Sequence, residues 1–165
     1  MKYIAVFDVP DGYERRVFMY AALDVARHII NYVNDQDGVV SNLKLQKLLY
    51  FVQGFFLILK GEPCFDSRIE AWNFGPVVPD VYFKFRSCGS CGIPSIDFAD
   101  PIVGKDALLI DEVVDIFRKK SESALVSLVH GQDPWKDAYG CPGMHKEIKN
   151  KAIRNYFEER YLKDA

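Results

Sequence analysis

The chain has 165 residues, a mass of 18.9 kDa and a formal net charge of −2. Hydrophobic residues make up 49% of it and charged residues 27%, a composition typical of one folded domain and not of a disordered chain. The slight acidic excess disfavours a protein that grips nucleic acid over a wide surface, since such binding needs many lysines and arginines. No secretory signal is recognisable, and no apolar run approaches the roughly 20 residues of a membrane span. We therefore expect a cytoplasmic protein whose four cysteines stay reduced.

Residues 1–19 are predicted to form an N-terminal extension with the pattern of a β-hairpin. Apolar residues at 3–7 and 17–19 flank Pro10, Asp11 and Gly12, which are typical turn formers. After this segment the apolar residues follow the helical period, so residues 20–165 are predicted to be the main domain. Its first helix is predicted to place five apolar residues on one stripe: Ala22, Ala26, Ile29, Ile30 and Val33.

The next helix is predicted over residues 42–60 and forms the centre of the fold. Ser41 can cap its first turn. Beyond Lys47 the helix is apolar nearly all round, which is typical of a helix buried by neighbours on most sides. Residues 68–74 are then predicted to form a short strand, Gly75 and Pro76 a turn, and residues 79–86 a helix that begins at Pro79.

The second half of the chain is predicted to be helical after a long irregular connection. Residues 87–105 are rich in glycine, serine and proline, and are predicted to form a binding loop or to contain a short strand. Helices are predicted from Asp106, from Ser121 and over residues 144–161. A short helix is also predicted over residues 135–139, with Asp133 as its N-cap and Pro134 at its first position. Together these elements predict a mainly α fold, a compact single-domain helical bundle around a central buried helix, with a minor β element.

Three cysteines and a histidine form the pattern that most resembles a metal site. Cys88 and Cys91 are a CxxC pair, and Cys141 with His145 is a C-x3-H pair, so the four could bind a tetrahedral zinc ion. The spacing between the pairs fits no standard zinc finger, and a chance arrangement is the alternative. A cysteine nucleophile would need His130 or His145 beside it. Because no phosphate loop, H-E-x-x-H or G-x-S-x-G motif is present, we expect no catalytic residue, no metal and no cofactor.

The central helix carries polar residues on an otherwise apolar surface. Gln46, Tyr50 and Gln53 recur at spacings of four and three and share one face, while Lys44 and Lys47 share another. Buried polar groups usually bond other parts of the same fold, and this is the favoured interpretation. The alternative is that this surface meets a partner.

Three segments of the chain resemble one protein family. They are NLKLQKLLY at residues 42–50, EAWNFGPVVPDVY at residues 70–82 and DPWKDAY at residues 133–139. Their order and sequence are similar to the Panacea domain family, the SocA-like antitoxins, which also occur as phage-associated proteins. The resemblance runs from about residue 22 to residue 139. Five of its residues are expected to serve the fold: Leu45, Leu48, Trp72, Pro134 and Trp135.

The resemblance implies an antitoxin-like protein that neutralises a cognate toxin of a toxin–antitoxin system by direct protein–protein binding. It also implies a possible second partner, a protease to which the toxin is delivered. We expect the partner-binding residues to be Lys44, Gln46, Lys47, Tyr50, Gln53, Gly75, Pro76, Val77, Pro79 and Tyr82.

Two other functions remain open at this point. One is a DNA-binding transcriptional regulator that uses the basic residues of the last predicted helix: Lys146, Lys149, Lys151, Arg154 and Arg160. The acidic residues interspersed with them make nucleic acid an unlikely partner. The other is the zinc-binding or thiol enzyme described above.

Overall fold

An antiparallel hairpin leads into the helical body. In the computed structural model, which describes residues 2–7, 15–97 and 99–163, strand β1 (Lys2–Phe7) pairs with strand β2 (Arg15–Tyr20). The turn predicted at residues 10–12 lies outside the described residues. The end of β2 is attached to the body, because the Tyr20 side chain is buried and its backbone N–H donates to the Cys64 carbonyl over 2.8 Å.

The first two helices supply much of the core. Helix α1 (Ala22–Asp35) buries the predicted stripe, together with Val25. Helix α2 (Asn42–Leu59) begins at the predicted cap, where the Ser41 side-chain oxygen accepts a hydrogen bond from the Lys44 N–H over 3.2 Å. Most of α2 is buried, as its apolar composition predicts.

A small antiparallel sheet packs beside α2. Strands β3 (Ile69–Trp72), β4 (Gly75–Val77) and β5 (Glu147–Ile148) lie in the order β4-β3-β5. The strand predicted at residues 68–74 is confirmed by β3. The predicted turn at Gly75 and Pro76 is instead the start of β4. Because Trp72 lies opposite Gly75 in the register, the turn between the strands is made by Asn73 and Phe74.

The remaining helices surround α2. They are α3 (Pro79–Phe85), α4 (Gly104–Phe117), α5 (Glu122–His130), α6 (Asp133–Ala138) and α7 (Asn150–Phe157), which continues as a π-helical turn, Glu158–Leu162. Pro79 opens α3, and Ser121 caps α5 by accepting from the Ala124 N–H over 3.1 Å, both as predicted. After one 3-10 turn, Arg86–Cys88, residues 89–97 and 99–103 are irregular, and α4 begins at Gly104.

The last helix begins later than predicted. It starts at Asn150 and not at residue 144, because the segment before it pairs with β3 and buries Ile148. The Ala71 N–H also donates to the Lys146 carbonyl over 2.8 Å. Burial against the sheet therefore outweighs the helical pattern of these residues. A smaller difference concerns α6, whose cap is Gln132 and not Asp133.

Aromatic packing fixes the positions of α4 and α7 against α2. Phe51 stacks on Phe117 of α4 with ring centroids 3.8 Å apart, and Phe157 of α7 lies over Gly54 of α2. A Cβ at Gly54 would lie 2.1 Å from the nearest Phe157 ring carbon, so only glycine allows this approach.

The structure confirms the predicted fold class. The chain is mainly α, its helices surround the buried α2, and its β content is minor. Leu45, Leu48 and Pro134, from the family motifs, are buried. Among the described residues, no helix is both long enough and apolar enough to span a lipid bilayer.

Candidate functional site

The polar residues of α2 bond the segments around the helix. Gln46 accepts from the Val78 N–H over 2.9 Å and donates to the Asn42 side-chain oxygen over 2.9 Å. Lys47 is fully buried, and its Nζ donates to the Pro76 carbonyl over 2.8 Å. Burial lowers the pKa of Lys47 to about 7, since the charged form loses its hydration.

Two further residues of α2 bond more distant parts of the chain. The Tyr50 hydroxyl donates to the Gln132 side chain over 2.7 Å, and burial raises the pKa of this phenol well above its usual value. The Gln53 side-chain oxygen accepts from the N–H groups of Cys64 and Phe65 over 2.9 and 3.2 Å. Across the part of the chain that the structure describes, no buried side-chain polar atom lacks a hydrogen-bond partner.

Four residues of the predicted partner-binding set therefore lie inside the fold. The side chains of Gln46, Lys47, Tyr50 and Gln53 are almost completely buried, so they act on the surface mainly through the segments that they bond. Lys44, on the same helix, is half-buried. A role of these residues in partner binding stays a prediction.

The other predicted residues form or follow the hairpin of β3 and β4. Gly75, Pro76 and Val77 are buried, whereas Pro79 and Tyr82 are half-buried on α3. Gly75 has a φ of 106°, which favours glycine. A Cβ there would also lie 2.6 Å from Cγ2 of Val129 and 3.0 Å from Cε of Lys47, so the position has no room for a side chain.

Aromatic side chains from α5, α6 and the residue after α6 contact the tip of this hairpin. Trp135 of α6 donates from its indole N–H to the Trp72 carbonyl over 2.9 Å. Its ring stacks with His130 and Tyr139, with centroids 4.1 and 4.5 Å away. The Tyr139 hydroxyl donates to the Asn73 side chain over 2.7 Å, and a His130 ring nitrogen lies 3.0 Å from the Asn73 carbonyl oxygen. Helices α5 and α6 thus fix the turn of the hairpin.

A groove of about 460 Å³ opens at the N-terminal end of α2. Its lining is mostly apolar and comes from α2, the hairpin, α3, the loop after α3, the start of α5 and the loop before β5. Three of the predicted partner-binding residues, Gln46, Val77 and Tyr82, line it. The other lining residues are Ser41, Asn42, Leu43, Trp72, Asn73, Phe74, Arg86, Gly89, Ser90, Glu122 and His145.

Aromatic rings form one wall of the groove and continue onto the surface. The Trp72 ring centroid lies 4.9 Å from that of Tyr82 and 6.0 Å from that of Phe83. His145 stacks on Trp72 at 4.3 Å, with the ring planes 11° apart. Phe74 and Phe83 are 60% and 54% exposed. These five residues are called the aromatic patch below; exposed aromatic groups of this kind mark interaction surfaces.

The charged residues of the groove differ in how they are paired. Glu122 accepts a hydrogen bond from the Ser41 hydroxyl and lies near Lys44. Partial burial lowers the pKa of Lys44, and the charge of Glu122 acts in the opposite direction. Arg86 is exposed, with its guanidinium carbon 6.0 Å from the Phe83 ring centroid. No carboxylate of the described residues lies within ion-pair distance of Arg86.

The CxxC pair forms a tight turn at the edge of the groove. The Cys91 N–H donates to the Cys88 carbonyl over 3.0 Å, and Gly89 has φ 56° and ψ −128°, the values of the first central residue of a type II′ turn. Cys141 is exposed. Within the described ranges, no three His, Cys, Asp or Glu residues are grouped to hold a metal ion. The turn instead presents Gly89 and Ser90 to the groove.

Several basic residues near the C-terminus are paired with neighbouring acids. Lys149 pairs with Glu147, Arg154 with Glu158 at 2.7 Å, and Lys163 with Glu159 at 3.8 Å. These ion pairs reduce the cationic surface that a phosphate backbone would need.

Comparison with known proteins relates these features to a family. The family model "Antitoxin SocA-like, Panacea domain" matches residues 45–136, more than half of the chain. The chain belongs to this family. Antitoxin SocA of Caulobacter vibrioides (strain NA1000 / CB15N) is 31% identical to it over 153 residues, which cover 82% of this chain and 81% of the relative. No solved structure matches the chain significantly.

The Panacea domain match confirms the resemblance that the three motifs predict, and it includes most of the groove. It extends from α2 to α6 and contains the hairpin and α3. Ser41, Asn42, Leu43 and His145 contribute to the groove from outside the matched range. Of the fourteen lining residues, eleven are outside the predicted partner-binding set, among them Phe74, Arg86, Glu122 and His145. Asn73 and Phe74 stand in the motif at residues 70–82, which is the sequence signal that could have indicated them.

Proposed function

We propose that this protein is an antitoxin that neutralises a cognate toxin by binding it directly. Its membership of the SocA-like antitoxin family and its similarity to Antitoxin SocA support this function. The structural observation that carries the proposal is the groove beside the aromatic patch, which suits a protein partner. We propose that it acts by binding and not by catalysis, because the family model and the relative that it matches are both antitoxins.

The predicted partner-binding residues would contribute to this function in two ways. Tyr82 and Val77 line the groove and would contact the toxin, and Lys44 stands on the half-buried face of α2 beside it. The buried residues would act indirectly. Lys47, for example, bonds the Pro76 carbonyl and so holds the hairpin that carries the aromatic patch.

The function can be tested by co-expression with the product of the neighbouring gene. We expect that product alone to stop growth, and this protein to restore growth and to co-purify with it as a complex. If the neighbouring product is harmless and no complex survives purification, the antitoxin function is wrong.

The contact surface can be tested with one exposed residue inside it and one outside it. Phe74→Ala removes an exposed ring of the aromatic patch, and we expect it to weaken toxin binding by about tenfold or more, the effect of removing an interface anchor. Binding is measured by titration calorimetry.

Leu108→Ala is the matched control for this variant. Leu108 is 62% exposed on α4, close to Asp106, whose carboxylate pairs with Lys60 beyond the C-terminal end of α2. It therefore lies far from the groove, and its removal should leave binding unchanged. Equal binding by both variants would place the toxin on another surface.

Delivery of the toxin to a protease is a further proposal, and it rests on the family resemblance alone. If this protein is an adaptor, the toxin should have a shorter half-life in cells that contain it than in cells that lack it. A pulse-chase experiment measures this directly. Neutralisation with an unchanged half-life would identify masking of the toxin as the mechanism.

A further inference from the structure

The groove has the size and lining of a site for a few side chains. Its volume of about 460 Å³ is within the range of ligand pockets, roughly 300–1,000 Å³. Leu43, Trp72, Phe74, Val77 and Tyr82 give it apolar walls. A large apolar side chain of a partner could therefore be buried in the groove, away from water. A whole helix or sheet is too large to enter it.

The unbalanced charge at the groove is positive. Glu122 already accepts a hydrogen bond from Ser41 and has Lys44 nearby. Arg86 also lines the groove, and Lys84 stands two residues before it in the chain. Both are exposed, and neither has a carboxylate partner among residues 2–7, 15–97 and 99–163.

The Arg86 side chain is positioned for a carboxylate. Its guanidinium lies at the Phe83 ring, with 6.0 Å between the guanidinium carbon and the ring centroid, which is within the reach of a cation–π contact. A guanidinium offers parallel N–H donors that match the two oxygens of a carboxylate. Its position in the lining of the groove puts this charge next to the apolar walls.

We propose that the groove binds a segment of the toxin in which a large apolar side chain stands next to an aspartate or glutamate. The apolar side chain enters the groove and packs against the Trp72 and Tyr82 rings, and the carboxylate pairs with Arg86. This inference rests on the proposed function, because it specifies which toxin segment makes the contact.

The same charges disfavour a second copy of this chain as the occupant. In a two-fold symmetric contact the same patch lies on both sides of the interface. The only carboxylate among the described groove-lining residues, Glu122, is already bonded to Ser41 and lies near Lys44, so it is poorly placed to pair with Arg86 of a second copy. A toxin with an acidic segment has no such conflict.

The inference is tested by reversing the charge at Arg86 and measuring the complex with the co-expressed toxin by calorimetry. We expect Arg86→Glu to weaken binding by about 100-fold or more, since it places two carboxylates together, and Arg86→Gln by about tenfold. Raising the salt concentration should weaken binding of the parent protein more than that of Arg86→Gln.

Lys105→Glu is the matched control, because it makes the same charge change at an exposed residue near the C-terminal end of α2. We expect its affinity to stay within about twofold of the parent value, as for exposed charges outside an interface. Thermal unfolding of each variant verifies that the fold is retained. Once the toxin's acidic residue is identified, its replacement by arginine should restore binding to Arg86→Glu.

The outcomes separate this inference from the proposed function. If Phe74→Ala weakens the complex and Arg86→Glu does not, the groove takes an uncharged segment, and the inference is wrong while the function stands. If no complex forms with the neighbouring product, both fail. If the protein alone sediments as a dimer that Arg86→Glu dissociates, the groove is a self-interface, which also overturns the inference.

Discussion

At the scale of single residues, Lys47 has the least usual environment in the described structure. Its side chain is fully buried, and its ammonium group has one hydrogen bond, to the Pro76 carbonyl. Helical spacing predicts that Lys47 lies on a polar face of α2, but it does not identify a backbone carbonyl as the partner of this side chain. Such a bond depends on where the hairpin of β3 and β4 lies, which is a matter of long-range packing.

The buried Lys47 should make stability depend on pH. Its pKa is about 7 in the folded chain and near 10.5 when unfolded, so between these values the unfolded state binds a proton that the folded state lacks. The unfolding free energy therefore rises with pH in this window, by up to about 1.4 kcal/mol per pH unit. The loss of stability caused by burying Lys47 is complete below pH 7 and absent above pH 10.5.

Urea unfolding at pH 7, 8 and 9 measures this slope, with Lys47→Met as the comparison. The variant keeps the length of the side chain without its charge, so the rise should disappear. The range stops at pH 9 because burial raises the pKa of Tyr20 and Tyr50, and these groups reduce stability at higher pH. Equal slopes for both proteins would show that Lys47 is not buried as described.

At the scale of elements, the contact between α2 and α7 depends on Gly54. Alanine is usually about 1 kcal/mol better than glycine inside a helix. Here a Cβ would lie 2.1–2.5 Å from three atoms of the Phe157 ring. We therefore expect Gly54→Ala to lower the unfolding free energy by about 1–3 kcal/mol, the usual cost of overpacking a core.

Two variants control for this effect in the same denaturant experiments. Gly131→Ala changes a glycine with ordinary helical angles and no close side chain, so it should be neutral or stabilising. Gly54→Ala combined with Phe157→Leu should lose less stability than the two separate effects added together, because the smaller side chain leaves room for the methyl group. Strict additivity would contradict the contact.

The sequence predicted the starts of helices well where they depend only on adjacent residues. Ser41, Pro79 and Ser121 start α2, α3 and α5 through capping and proline geometry that a few adjacent residues determine. The strand at residues 147–148 was missed because it exists only through its pairing with β3. The groove was missed for the same reason, since Phe74, Arg86, Glu122 and His145 come from four separate parts of the chain.

At the scale of the whole molecule, the two tryptophans should report on different regions. Trp72 lies in the aromatic patch, whereas Trp135 packs between α5, α6 and the hairpin. In Trp135→Phe, which leaves Trp72 as the emitter, we expect toxin binding to shift the fluorescence to shorter wavelength, because the indole loses contact with water.

The converse variant, Trp72→Phe, retains only Trp135 and should show little change when the toxin is added. If instead Trp135 responds and Trp72 does not, the toxin binds away from the groove. The pair of variants therefore locates the contact without a structure of the complex.

The buried polar side chains of α2 mostly bond backbone atoms of the segments packed around the helix. Gln46 bonds the amide of Val78, Lys47 the carbonyl of Pro76, and Gln53 the amides of Cys64 and Phe65. A backbone group is the same whatever side chain it carries, so these tethers do not depend on the identity of the exposed residues. Exposed side chains around the groove could consequently be changed to bind a different toxin, while α2 and the segments bonded to it keep their structure.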